Sequence, residues 1–229
     1  MKLENKFSLL LFLLISVCIY SNSHANEIRV VLIGDSTVTD YEGWGQAFAG
    51  RFNSSVKVYN FAVEGRSSKS YYNEKRLFNA LSVEPHYVFI QFGHNDQPGK
   101  GKERETDPAT TFRDYLKLYI SAVTRSGAQP VLISSLTRRN FDKNGIIQTS
   151  LTPWAVATAE VAKQENIAFI DLHTASVKYH NSIGYDASMK FNVYENDTTH
   201  INKFGAEHIT DLIIKKMNMS GIELSRYIR

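Results

Sequence analysis

Ile28-Arg29-Val30-Val31-Leu32-Ile33-Gly34-Asp35-Ser36-Thr37 is the stretch on which the fold turns. A nearly continuous apolar run stops at a glycine, and two side chains able to do chemistry follow at once. Such runs suit strands buried on both faces, as in parallel sheets. In open parallel sheets, ligands bind beyond the carboxyl ends of the strands. Asp35 and Ser36 therefore stand where a site belongs.

Four more runs share this character: Val56 to Phe61, Tyr87 to Phe92, Pro130 to Ser134 and Ile167 to Leu172. Helical spacing fills the gaps between them. From Asp107 to Arg125, Phe112, Tyr115, Leu116, Tyr119, Ile120 and Val123 share one face. Asp107-Pro108 reads as its N-cap and first position, and Gly127 as its stop. Further helices are expected from Pro153 to Gln164 and from Lys203 to Met217. Alternating strand and helix predicts an α/β fold. Its architecture is a three-layer α/β/α sandwich around a flavodoxin-like five-stranded parallel sheet, in the order 2-1-3-4-5. Residues 97–106, 138–150 and 174–199 read as irregular.

The chain has 229 residues, 43% of them hydrophobic, which suits one domain with a full core. Lys2 and Lys6 precede an uncharged run from Leu9 to Tyr20, and Ser23-His24-Ala25 gives a small-x-small exit. This pattern reads as a signal peptide over residues 1–25, leaving 26–229 as a single domain. An uncleaved anchor and a lipoprotein built on Cys18 are the other readings of the leader. Cys18 is the only cysteine, so a processed chain has no disulfide and no cysteine metal site. A periplasmic or secreted bacterial protein is expected, with no membrane contact after cleavage. Net charge is +3 and no long basic run occurs, which argues against nucleic acid as a partner.

Four short segments carry the candidate chemistry. Gly34-Asp35-Ser36-Thr37 offers a serine at a strand end. It is neither a Gly-x-Ser-x-Gly elbow nor a phosphate loop. Gly65, after the second strand, can present a bare backbone N–H. Gly93-His94-Asn95-Asp96, after the third, offers an amide donor. Asp197-Thr198-Thr199-His200 lets a carboxylate orient an imidazole. Each alone is also an ordinary turn or cap. Together they supply a nucleophile, two kinds of oxyanion donor and an Asp–His base, which is what acyl transfer needs.

At these residues the chain resembles the SGNH (GDSL-like) hydrolase superfamily, through Ser36, Gly65, Asn95 and His200, with Asp197 three residues before the histidine. Gly43-Trp44-Gly45-Gln46, Gly65-Arg66-Ser67-Ser68-Lys69-Ser70 and Gln91-Phe92-Gly93-His94-Asn95-Asp96 are similar, more narrowly, to the rhamnogalacturonan acetylesterases. The resemblance spans about Arg29 to Met217 and implies the SGNH hydrolase fold. It also implies a serine carbohydrate esterase that removes O-acetyl groups from a pectin-like polysaccharide or its fragments. Ser36, Asp197 and His200 would be catalytic, with Ser36, Gly65 and Asn95 forming the oxyanion hole. No metal or organic cofactor is expected, and the expected state is a monomer.

Arg66, Tyr72, His94 and Tyr194 are candidate substrate contacts. Trp44 and Tyr71 could stack on sugars but read better as packing residues. Lys69, Arg138 and Arg139 could meet uronate carboxylates or be solvated surface charges. Other acyl esters (xylan acetyl, sialate acetyl, lipid) and a non-catalytic carbohydrate-binding protein are the competing readings. A metal-dependent phosphoesterase is a further one.

Overall fold

A computed structural model describes residues 27–229, so the leader assigned to residues 1–25 lies outside the described residues. The quoted stretch forms β1, Ile28–Gly34, which pairs in parallel with both β2, Val56–Asn60, and β3, Tyr87–Gln91. β3 pairs with β4, Gln129–Ile133, and β4 with β5, Ala168–Ile170, all in parallel. The order is β2-β1-β3-β4-β5, as the strand and helix alternation predicts.

The pleat divides β1 between two cores. Val30 and Leu32 face one layer, while Val31 and Ile33 face the other. The first layer holds α1, Gly45–Ala49, and α7, Lys203–Met219, through Trp44, Phe48, Ile209, Ile213 and Met217. The second holds α2, Ser68–Asn73, and α3, Arg76–Leu81, together with α4, Thr111–Arg125, and α5, Thr152–Gln164. Tyr71, Leu77, Phe112, Leu116, Tyr119, Trp154 and Val161 are their inward residues. Burying apolar side chains on both faces of β1 explains its unbroken run.

Two expectations are corrected. α4 begins at Thr111, not at Asp107. Asp107 instead closes the preceding turn, accepting from Ala109 N at 2.7 Å through its side chain and from Phe112 N at 3.0 Å through its carbonyl. Residues 174–199 are also not irregular throughout, because α6 spans Leu172–Met189. Asp171 caps it by accepting from Thr174 N, and Gly184, at φ 78°, kinks it. Its buried face includes His173, Ser176, His180 and Ser188, so the apolar period that reveals a helix is missing. Hydrogen bonds tie that polar face to its neighbours: His173 N donates to Ser134 Oγ, Thr137 N to Ser176 Oγ, and His180 Nδ1 pairs with Ser188 Oγ.

Candidate active site

The carboxyl ends of the strands gather the four segments. After β1 the chain enters a single 3-10 turn, Ser36–Val38, capped by Asp35. The Asp35 carboxylate accepts from Thr37 N at 2.9 Å and Thr37 Oγ1 at 2.7 Å. Gln91 Nε2 donates to Thr37 Oγ1, and Trp44 Nε1 donates to Gln91 Oε1. This buried chain of hydrogen bonds fixes the turn that presents Ser36. Gly34 permits it, since a Cβ there would lie 2.5 Å from Gln91 O.

Ser36 Oγ lies 2.9 Å from His200 Nε2, and His200 Nδ1 lies 3.0 Å from Asp197 Oδ2. The other Asp197 oxygen accepts from the backbone N–H groups of Thr199 and His200, each at 3.0 Å. Partial burial pushes the Asp197 carboxyl up, but these N–H donors and the His200 ring outweigh it and hold it below the usual range. An ionised Asp197 makes Nδ1 the protonated nitrogen and leaves Nε2 free to accept from Ser36.

Arg139 holds this turn from behind. Its guanidinium is 1% exposed and donates to Asp197 O at 2.8 Å, to His200 O at 2.5 Å and twice to Asn192 Oδ1. Its backbone N–H donates to Thr198 O. Burial pushes its pKa down to about 10, against the opposing pull of Asp197, so it stays charged at neutral pH. Arg139 is therefore neither a surface charge nor open to a uronate. Its place in a loop beside Arg138 hides this role; the one signal is that the loop follows the carboxyl end of β4.

The second wall holds Gly65 and Asn95. Gly65 sits at φ +71°, a conformation that favours glycine. Asn95 is 8% exposed and its Nδ2 donates to Arg66 O at 3.2 Å. Asp96 latches the two segments together. Its carboxylate accepts from Ser68 N and Oγ, three residues after Gly65, and from Thr106 Oγ1 at 3.0 Å. Burial pushes its carboxyl up to about 7, against the pull of those donors.

A folded-state value above the unfolded one means that the native state holds this proton longer. Its contribution to stability is then lost as pH rises from about 4 to about 7. Asp96→Asn is expected to flatten that part of the curve. Melting temperatures of both proteins at pH 5 and pH 8 check this, and an unchanged slope would contradict it.

The structure sorts the remaining candidates. Tyr194 is 66% exposed and its hydroxyl donates to Glu42 Oε1 at 3.5 Å. Glu42 Oε2 lies 3.9 Å from His200 Nε2, a neighbour that the sequence does not signal. Arg66 is half-exposed and paired with Glu74 at 3.1 Å. Arg138 is half-buried, donating to Gln97 Oε1 and His94 O.

Two expected substrate contacts are corrected. His94 is buried, its Nδ1 facing Asp35 Oδ2 across 3.4 Å behind the nucleophile turn. Burial pushes the ring's pKa down, against the opposing pull of Asp35. The Asp35 carboxyl is held below the usual range because the His94 ring and the Thr37 donors outweigh its own burial. Tyr72 packs edge-on against Tyr115 and Tyr119 and lines a groove with Leu77, Phe78 and Ala122 on the outer helix layer. Trp44 and Tyr71 are fully buried packing residues, as expected.

The family model for GDSL-like lipase/acylhydrolase matches residues 30–213. A Bacillus subtilis protein named "Probable rhamnogalacturonan acetylesterase YesY" is 34% identical over 211 residues, covering 87% of this chain and 97% of its own. Rhamnogalacturonan acetylesterase RhgT of the same organism is 33% identical over 223 residues, covering 88% and 94%. Among solved structures, a mutant of an acetylxylan esterase from Geobacillus stearothermophilus superposes with a TM-score of 0.65 at 14% identity, covering 88% of this chain and 96% of that one. That likeness is one of fold. The chain belongs to the GDSL-like lipase/acylhydrolase family, and within it stands among the relatives of the rhamnogalacturonan acetylesterases.

Proposed function

We propose that this protein is a serine carbohydrate esterase that removes O-acetyl groups from a rhamnogalacturonan-like glycan. The observation that carries the chemistry is the unbroken line Ser36 Oγ, His200, Asp197, with contacts of 2.9 and 3.0 Å. The substrate class is supported by the names of the relatives that match nearly the whole chain. The leader-like stretch ahead of Ala25 supports export.

In the proposed mechanism Ser36 Oγ attacks the acetyl carbonyl while His200 Nε2 takes its proton. Negative charge then develops on the carbonyl oxygen. The backbone N–H groups of Ser36 and Gly65 and the Asn95 amide supply donors for it. His200 returns the proton to the departing sugar hydroxyl, leaving an acetyl-serine. A water that gives its proton to His200 attacks the acetyl carbon, and collapse releases acetate and restores Ser36.

Asn95→Ala is expected to lower kcat by roughly 100- to 1000-fold, with a much smaller change in KM. A change confined to KM would make Asn95 a binding residue. Acetate release from acetylated rhamnogalacturonan, homogalacturonan and xylan fragments tests the substrate class. The proposal expects the first to be hydrolysed with the highest kcat/KM. Preference for xylan would overturn it and leave the esterase chemistry standing.

A further inference from the structure

Tyr41 and Gly43 line a cleft of about 360 Å³ with Asp40, Gln46, Arg51, Lys203 and Glu207. The segments that wall this cleft also carry the reacting centre. Glu42 reaches the His200 ring and accepts from Ile201 N at 3.0 Å through its carbonyl, while Lys203 opens α7 three residues after His200. The cleft's walls thus lie one residue along the chain from Glu42 and three from His200.

Its chemistry is specific. Tyr41 is 90% exposed and has neither a hydrogen-bond partner nor a ring partner among the described residues. A large ring left in water at the rim of a polar cleft offers a flat apolar face to a ligand. Asp40 and Glu207 balance Arg51 and Lys203 in charge, and Arg51 is already held by Glu207 and Asp211 at 2.9 and 2.8 Å. Balanced charge gives no preference for an ion. The carboxylates, the Gln46 amide and the cations offer both acceptors and donors for hydroxyl groups. An apolar face beside dense, neutral hydrogen bonding suits a sugar ring, which carries C–H faces and a belt of hydroxyls.

We infer that this cleft is a second glycan subsite, holding an uncharged sugar unit of the chain whose acetylated unit reacts at Ser36. The inference rests on the ester-hydrolase reading and adds to it a place for the chain beyond the reacting unit. It makes the enzyme one that prefers oligomers over isolated acetyl esters.

Full-length wild type, Tyr41→Ala and Gln46→Ala, both at exposed positions, are assayed on p-nitrophenyl acetate and on acetylated oligosaccharides. For Tyr41→Ala, the ratio of oligosaccharide to p-nitrophenyl acetate kcat/KM is expected to fall by about tenfold, mostly through KM, the worth of one aromatic contact. Gln46→Ala should lower the same ratio less. An unchanged ratio for Tyr41→Ala, whether through no loss or through equal loss on both substrates, would overturn the subsite. Loss of p-nitrophenyl acetate turnover in Ser36→Ala tests the underlying esterase reading separately.

Discussion

Ser36→Ala is expected to lower kcat on any acetyl ester by about 10⁶-fold, because it removes the atom placed beside His200 to carry the acyl group. The surrounding turn should survive, since Asp35, Thr37, Gln91 and Trp44 hold it without the serine hydroxyl. A melting temperature close to wild type, beside absent acetate release, is therefore the expected pair of results. Residual activity near the wild-type level would remove Ser36 from the mechanism.

Asp197→Asn is expected to cost about 10⁴-fold in kcat while the fold and KM change little. The amide oxygen can still accept from Thr199 N and His200 N. Its NH2 group, however, would face His200 Nδ1, where the carboxylate now accepts. Nδ1 must then become the acceptor, which moves the ring proton to Nε2, the nitrogen facing Ser36. The base is present in the wrong tautomer. Arg139 would keep the turn in place, because its bonds go to the carbonyls of Asp197 and His200 and not to the substituted carboxylate. Kinetics on p-nitrophenyl acetate check this, and a loss expressed in KM alone would contradict it.

The sheet was legible because its residues obey one rule. Strands buried on both faces must be apolar throughout, and Ile28 to Ile33 and Tyr87 to Phe92 are nearly so. The candidate catalytic residues were legible for a related reason: each lies just beyond such a run or just before α7. What escaped were groups whose inward contacts are polar. α6 turns His173 and Ser176 toward Ser134 and Thr137, so no apolar stripe marks it. Arg139 looks like half of a surface pair with Arg138 until the fold brings Asp197, Asn192 and His200 to it over more than fifty residues. His94 was visible beside Asn95, but only the packing of β1 against β3 turns it inward onto Asp35.

Labelling with a fluorophosphonate tests the central claim most directly, because that reagent reports an activated serine whatever the natural substrate is. Intact-protein and peptide mass analysis should find one adduct, on the peptide carrying Ser36, formed rapidly in wild type and nearly absent in His200→Ala. An adduct on another serine, or equally fast labelling of Ser36 without His200, would contradict the account.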